Sequence, residues 1–197
     1  MVYKKLVDVA DIQSGLVLSR KEAKPHSEKV YKYQRLNLRS INNDDIVNIK
    51  TLNEFYAHEK VDNQFITKEN EIVMRLFAPL QPVLITAAFT GYVVPSQFAI
   101  IRINSGDILP DYLCCYLSQH NVLNGLAAMD SGQATRGIRI STLSDIQIPI
   151  VEVNKQKIII AIAGLQKKIN ALHLELSHQY SIQADVAIKR AIGGERL

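Results

Sequence analysis

The chain has 197 residues, 47% of them hydrophobic, and 23 basic against 19 acidic side chains leave a net charge of +4. That length suits one domain of ordinary size plus an extra element, and the apolar fraction excludes wholesale disorder. No apolar run reaches the ~18–20 residues a membrane span needs, and the opening MVYKKLVDVADIQSG mixes charge with apolar residues, unlike a signal peptide.

Short β-branched runs separated by turn signals predict strands at Gly15–Ser19, Gln34–Leu38, Glu71–Leu76, Pro82–Thr86 and Gln97–Ile103. Pro110–Gln119 starts with proline at a helix-start position and places Tyr112, Leu113, Tyr116 and Leu117 at helical spacing. A second short helix is expected over Val122–Ala128, then a polar loop from Ser131 to Gly137, then a strand at Asp145–Ile148. From Asn154 to Arg190 there is no proline, and Ile158, Ile162, Leu165, Ile169, Leu172 and Leu176 recur at alternating steps of 4 and 3. That is a heptad seam, with Asn154 as expected N-cap and Gly193-Gly194 as expected end. Such a helix, about 55 Å long at ~1.5 Å per residue, is too long to bury its seam on the preceding domain. Pairing with a second chain is expected, with folding back onto the domain as the alternative. The pattern as a whole predicts an α+β fold: a globular domain over residues 1–150 with a mixed, strongly twisted sheet and short helices. A long coiled-coil helix over 151–197 follows.

The charge is uneven. Arg20, Lys21, Lys24, Lys29, Lys32, Arg35 and Arg39 fall within one stretch against only Glu22 and Glu28, whereas residues 61–150 are slightly acidic. A concentrated basic segment points to a polyanion, or to a solvated loop. Cys114 and Cys115 are adjacent and cannot staple a loop, so a reduced, cytoplasmic chain is expected. His26, His58, His120, His173 and His178 lack metal-ligand spacing. The chain has no GxxxxGK[ST] loop, strand-borne GxGxxG or GxSxG elbow, which weighs against an enzyme.

Two stretches suit base edges, because arginine pairs bidentately with guanine and glutamine with adenine. Lys29–Ser40 interleaves Lys32, Gln34, Arg35, Asn37 and Arg39 with Tyr31 and Tyr33; Gly132–Ser141 sets Gln133, Thr135, Arg136 and Arg139 beside two glycines. Arg75 closes the run EIVMR.

The order of segments resembles one half of the DNA specificity subunit of Type I restriction–modification systems. The series runs DIQSGLVLS, ENEIVMRLFAP with PVLI, SQFAIIRIN, ILPDYLCCYLSQ, SGQATRGIRISTLSDIQIPI and NKQKIIIAIAGLQKKI. The family's "L-x-x-I-x-I-P" block and glutamine-bearing helix start correspond to Leu143, Ile146, Ile148, Pro149 and Gln156. Three departures stand out: one recognition domain and one long helix where the family has two of each, Ile150-Val151 where a second proline often stands, and Asn70-Glu71-Ile72 where many members have "G-D-I/L".

The resemblance implies a non-catalytic chain that reads double-stranded DNA, with Lys32, Gln34, Arg35, Arg39, Arg75, Gln133, Thr135, Arg136 and Arg139 as candidate DNA contacts. It implies partners: a second copy joined through Ile158, Ile162, Leu165, Ile169, Leu172 and Leu176, DNA methyltransferase subunits, and in some systems a restriction subunit. No membrane partner or cofactor is expected in this chain; S-adenosylmethionine belongs to the methyltransferase partner. Two chains would read a gapped inverted repeat. A truncated two-domain subunit would give the same sequence. The rival readings are a coiled-coil adaptor that binds protein rather than DNA, and a self-contained methyltransferase or nuclease, which the missing amino-methylation motif disfavours.

Overall fold

The structure is a computed structural model, and it describes residues 2–24, 27, 29–41, 48–129 and 137–193. The chain divides into two compact units, Met1–Gln156 and Lys157–Leu197.

The first unit is built on a four-stranded antiparallel sheet in the order β2–β7–β5–β6. Its strands are β2 (Ala10–Ser14), β5 (Ile72–Arg75), β6 (Gln81–Leu84) and β7 (Phe98–Ile103). The two middle strands, β5 and β7, read IVMR and FAIIRI; Ile72, Val73, Met74 and Phe98 to Ile101 are all buried. A two-stranded ribbon joins β3 (Tyr31–Arg35) to β4 (Asn53–Ala57), and a second pairs β1 (Val2–Lys5) with β8 (Gln147–Ile150). All of these ladders are antiparallel; the mixed character comes from single parallel bridges, Leu16 with Pro95 and Arg35 with Val93.

Helices α1 (Pro110–Leu117), α2 (His120–Met129) and α3 (Ile140–Ser144) precede β8. Pro110 occupies the first turn of α1, where its missing N–H is no loss. Tyr112 and Tyr116 reach from α1 to β8, donating to Pro149 O at 2.7 Å and Gln147 O at 2.9 Å. Burial raises both phenol pKa values.

Gln156, wholly buried, finishes this unit. Its Oε1 accepts the Leu109 N–H at 2.8 Å, and its Nε2 donates to Asp107 O at 2.6 Å and Val151 O at 2.8 Å. The glutamine of the sequence block thus ties the entry of α1 to the exit of β8. Asn70 has φ 64, the left-handed region that glycine adopts freely and asparagine tolerates. Its neighbour Glu71 is buried and receives the Arg102 Nε–H at 2.7 Å and the Lys68 N–H at 2.9 Å.

Several elements differ from expectation. The first strand of the central sheet is Ala10–Ser14 rather than Gly15–Ser19, because Gly15 and Leu16 bend away onto Phe98 O and Val94 O. A Cβ on Gly15 would sit 2.3 Å from Pro95 O, so only glycine permits that bend. The ribbon strand is Tyr31–Arg35 rather than Gln34–Leu38, since Asn37–Ser40 closes a turn with Ser40 N–H on Asn37 O. The last strand runs Gln147–Ile150.

In α4 (Val153–Gly193), Asn154 lies inside the first turn instead of capping it. Within the second unit, Ile158, Ile162, Leu165, Ile169, Leu172 and Leu176 are all exposed. No helix among the described residues is long and apolar enough to cross a membrane.

Candidate nucleic-acid interface

The ribbon β3–β4 owes its orientation to alternation. Tyr31, Tyr33, Phe55 and Ala57 face inward and pack with Leu16, Val61 and Val93. Lys32, Gln34, Glu54 and Tyr56 therefore face outward and are exposed. The Tyr33 hydroxyl accepts the Val61 N–H at 3.1 Å, which fixes the ribbon on the loop beyond it.

Lys32 is not a free cation. Its Nζ forms an ion pair with Glu54 Oε1 and lies 5.7 Å from the Tyr56 ring centroid. The Tyr56 hydroxyl donates to Glu54 Oε2 at 2.5 Å. These hydrogen bonds from Lys32 and Tyr56 hold the Glu54 carboxyl below its ordinary pKa, and Glu54 in turn raises that of Lys32. Lys21 likewise pairs with Glu59 at 2.5 Å. Two of the seven basic residues in the 20–39 stretch are thus matched by carboxylates outside it.

The turn after β3 is organised by Asn37. Its Oδ1 accepts the Arg39 N–H at 2.8 Å, and its Nδ2 donates to Thr51 O and Asn53 Oδ1. Arg39 is exposed at this turn, while Arg35 is half-buried opposite Asn53. The Asn48 N–H returns to Ser40 O at 2.7 Å, closing the segment between them.

Leu36 and Ile41, which bracket Arg39, share a core cluster with Phe98, the residue opposite Arg75 in the β5–β7 ladder. Arg75 is half-buried, burial lowers its pKa, and its Nε has no hydrogen-bond partner among the described residues. One residue on, Leu76 O accepts the Ile138 N–H at 2.7 Å. A Cβ on Gly137 would fall 2.5 Å from that same oxygen, so glycine is what lets the backbone pass this close to the sheet just before Ile138. Arg139, exposed, follows at the start of α3.

The structure thus brings Arg75 and the approach to Arg139 to one end of the β5–β7 ladder, and sets Lys32 and Gln34 on the ribbon with Arg39 at the turn beyond it. Gln133, Thr135 and Arg136 lie outside the described residues. Sequence reasoning missed Glu54 and Tyr56, because the strand NEFYA shows only Phe55 and Ala57 as an inward pair. Among the described residues no cluster of His, Cys, Asp and Glu could hold a metal ion.

A family model described as the Type I restriction modification DNA specificity domain matches residues 1–178. The fold is similar to that of the HsdS subunit from Thermoanaerobacter tengcongensis, with a TM-score of 0.68 and 13% identity over 100% of this chain and 51% of that one. A structure titled for complex assembly and conformational transition of the type I R-M system contains a chain matched at TM-score 0.72 and 13% identity, again over 100% and 51%. The S subunit from M. genitalium matches at TM-score 0.50 and 13% identity, over 93% of this chain and 44% of that one. The chain spans about half the length of these solved structures. No curated protein matches it. The family match runs from β1 through the recognition unit and deep into α4, and on that extent the chain belongs to the Type I restriction–modification DNA specificity domain family.

Proposed function

We propose that the chain reads double-stranded DNA sequence-specifically as the specificity component of a Type I restriction–modification complex and carries out no chemistry itself. The observation that carries this reading is the family match over residues 1–178, which spans both the globular unit and most of the long helix. Phosphate contacts fall to the exposed cations, and base contacts to the polar side chains around β3–β4 and the 132–141 stretch.

The exposed seam from Ile158 to Leu176 supports pairing with the same helix of a second copy. Two copies related by a two-fold axis read an inverted repeat with an unread gap. The likeness to a chain from a type I assembly supports docking onto DNA methyltransferase subunits, which bind S-adenosylmethionine, with or without a restriction subunit.

Selection of the full chain against random duplex DNA tests the reading. A gapped inverted repeat is expected. Enrichment of a single ungapped half-site would keep DNA reading and remove the two-copy arrangement. No enrichment at all would replace it with a protein-binding adaptor.

A further inference from the structure

The outward face of β3–β4 carries an arrangement that the core does not require. Gln34 stands opposite Glu54, and Lys32 opposite Tyr56. Side chains so opposed stand about 5 Å apart at Cβ. Lys32 takes one Glu54 oxygen and Tyr56 the other, which fixes the carboxylate from two sides. Each oxygen keeps a lone pair, so Glu54 remains an acceptor, but one held in place. Lys32 also cancels the charge that would otherwise repel a polyanion. Gln34 makes no hydrogen bond through its side chain among the described residues and is exposed.

Free cations flank this neutral middle. At the end where β3 begins and β4 finishes, Lys29 and Lys60 are exposed, with Lys24 exposed just past the bridge that lays Glu22 beside Ala57; at the other end Arg39 and Lys50 are exposed. None of the five belongs to an ion pair among the described residues. A five-residue strand extends about 14 Å between its first and last Cα atoms. The major groove of B-DNA, about 12 Å wide, admits a two-stranded ribbon. Cations at both ends with hydrogen-bonding side chains between them match a groove bounded by phosphates and floored by base edges.

Building on the DNA-reading function proposed above, we infer that the outer face of β3–β4 enters the major groove, with Gln34 and Glu54 as its base-reading pair. Gln34 presents the donor and acceptor that adenine N7 and N6 require. Glu54 accepts from an exocyclic amino group, as on cytosine N4. Lys32 and Tyr56 are positioning residues for Glu54, and Lys24, Lys29, Lys60, Arg39 and Lys50 neutralise phosphates.

The test compares the full-length chain with Q34A, E54A and K50A in selection from random duplexes, followed by titration of the selected site at several salt concentrations. Thermal melting first checks that each exposed variant folds. Q34A and E54A are each expected to lose base preference at one base pair per half-site, with affinity for the wild-type site falling about tenfold or more. Their salt dependence stays unchanged. K50A keeps the base preference and lowers the slope of log affinity against log salt by about 1. Selection of the same sequence by wild type, Q34A and E54A overturns the inference while leaving DNA reading intact. A uniform gain in affinity for all duplexes in E54A, with preference unaltered, overturns it too, because Glu54 would then merely mask Lys32. If wild type enriches no sequence, the DNA-reading function falls first and this inference with it.

Discussion

Gln156 commits both atoms of its side-chain amide to backbone groups, so replacing it strands three of them at once. Each unsatisfied buried group costs about 1–3 kcal/mol, partly relieved where water can enter. Gln156→Ala is therefore expected to destabilise the first unit by about 2–4 kcal/mol, lowering Tm by about 5–15 °C. A calorimetric scan showing no shift would remove Gln156 from the structural account. Glu71 poses a different problem. Burial raises its pKa against the pull of the Lys68 N–H and Arg102. The folded chain thus holds this proton more tightly than the unfolded one, and ionisation of Glu71 weakens the fold as pH rises from the ordinary carboxylate range through the raised value. Arg102→Leu removes the compensating charge and should cost about 3–5 kcal/mol at neutral pH. The difference between this variant and wild type should narrow on acidification, once Glu71 is protonated. Urea unfolding at pH 7 and pH 5 measures it, and an equal deficit at both would contradict the sign.

Elements with a strong inward pattern were legible in the sequence, and elements held by partners were not. IVMR and FAIIRI read as buried strands because nearly every side chain is apolar. ADIQS and VYKK carry no such signal; β2 exists because it pairs with β7 and β1 because it pairs with β8, contacts remote in sequence. The strand NEFYA begins with two polar residues, and its inward pair Phe55 and Ala57 is too short a pattern to announce itself. The basic stretch was legible as charge but not as geometry: its partners Glu54 and Glu59 lie more than twenty residues away in sequence. The two glycines of the 132–141 stretch stood out in the sequence, yet the anchoring of Ile138 on Leu76 O needed the fold. Gly137→Ala forces a methyl against a main-chain oxygen that cannot move aside alone. It is expected to cost about 1–3 kcal/mol, and under the proposed function to weaken DNA binding beyond that of a surface control such as Lys189→Ala. Unchanged melting and binding would show that the close approach of Gly137 to Leu76 O is not needed.

At the scale of the whole molecule, α4 was the most legible feature, since a seam of alternating 4 and 3 steps survives with no tertiary information. Its 41 residues extend about 60 Å at ~1.5 Å each. If the seam joins two copies, Leu165→Glu with Leu172→Glu should abolish self-association in sedimentation while leaving the melting of the first unit in place. A wild-type chain that sediments as a monomer at micromolar concentration would refute pairing through the seam. The closure of Ser40 O on Asn48 N bears on how such a protein diversifies. A segment whose two ends are fastened to each other can change length without disturbing what lies on either side, and doubling a loop costs only about 0.6 kcal/mol. The junction behaves as a fixed frame: with Ser40 and Asn48 fastened together and Ile41 seated in the core, residues inserted after Ile41 leave Arg39, Lys50 and the sheet where they are.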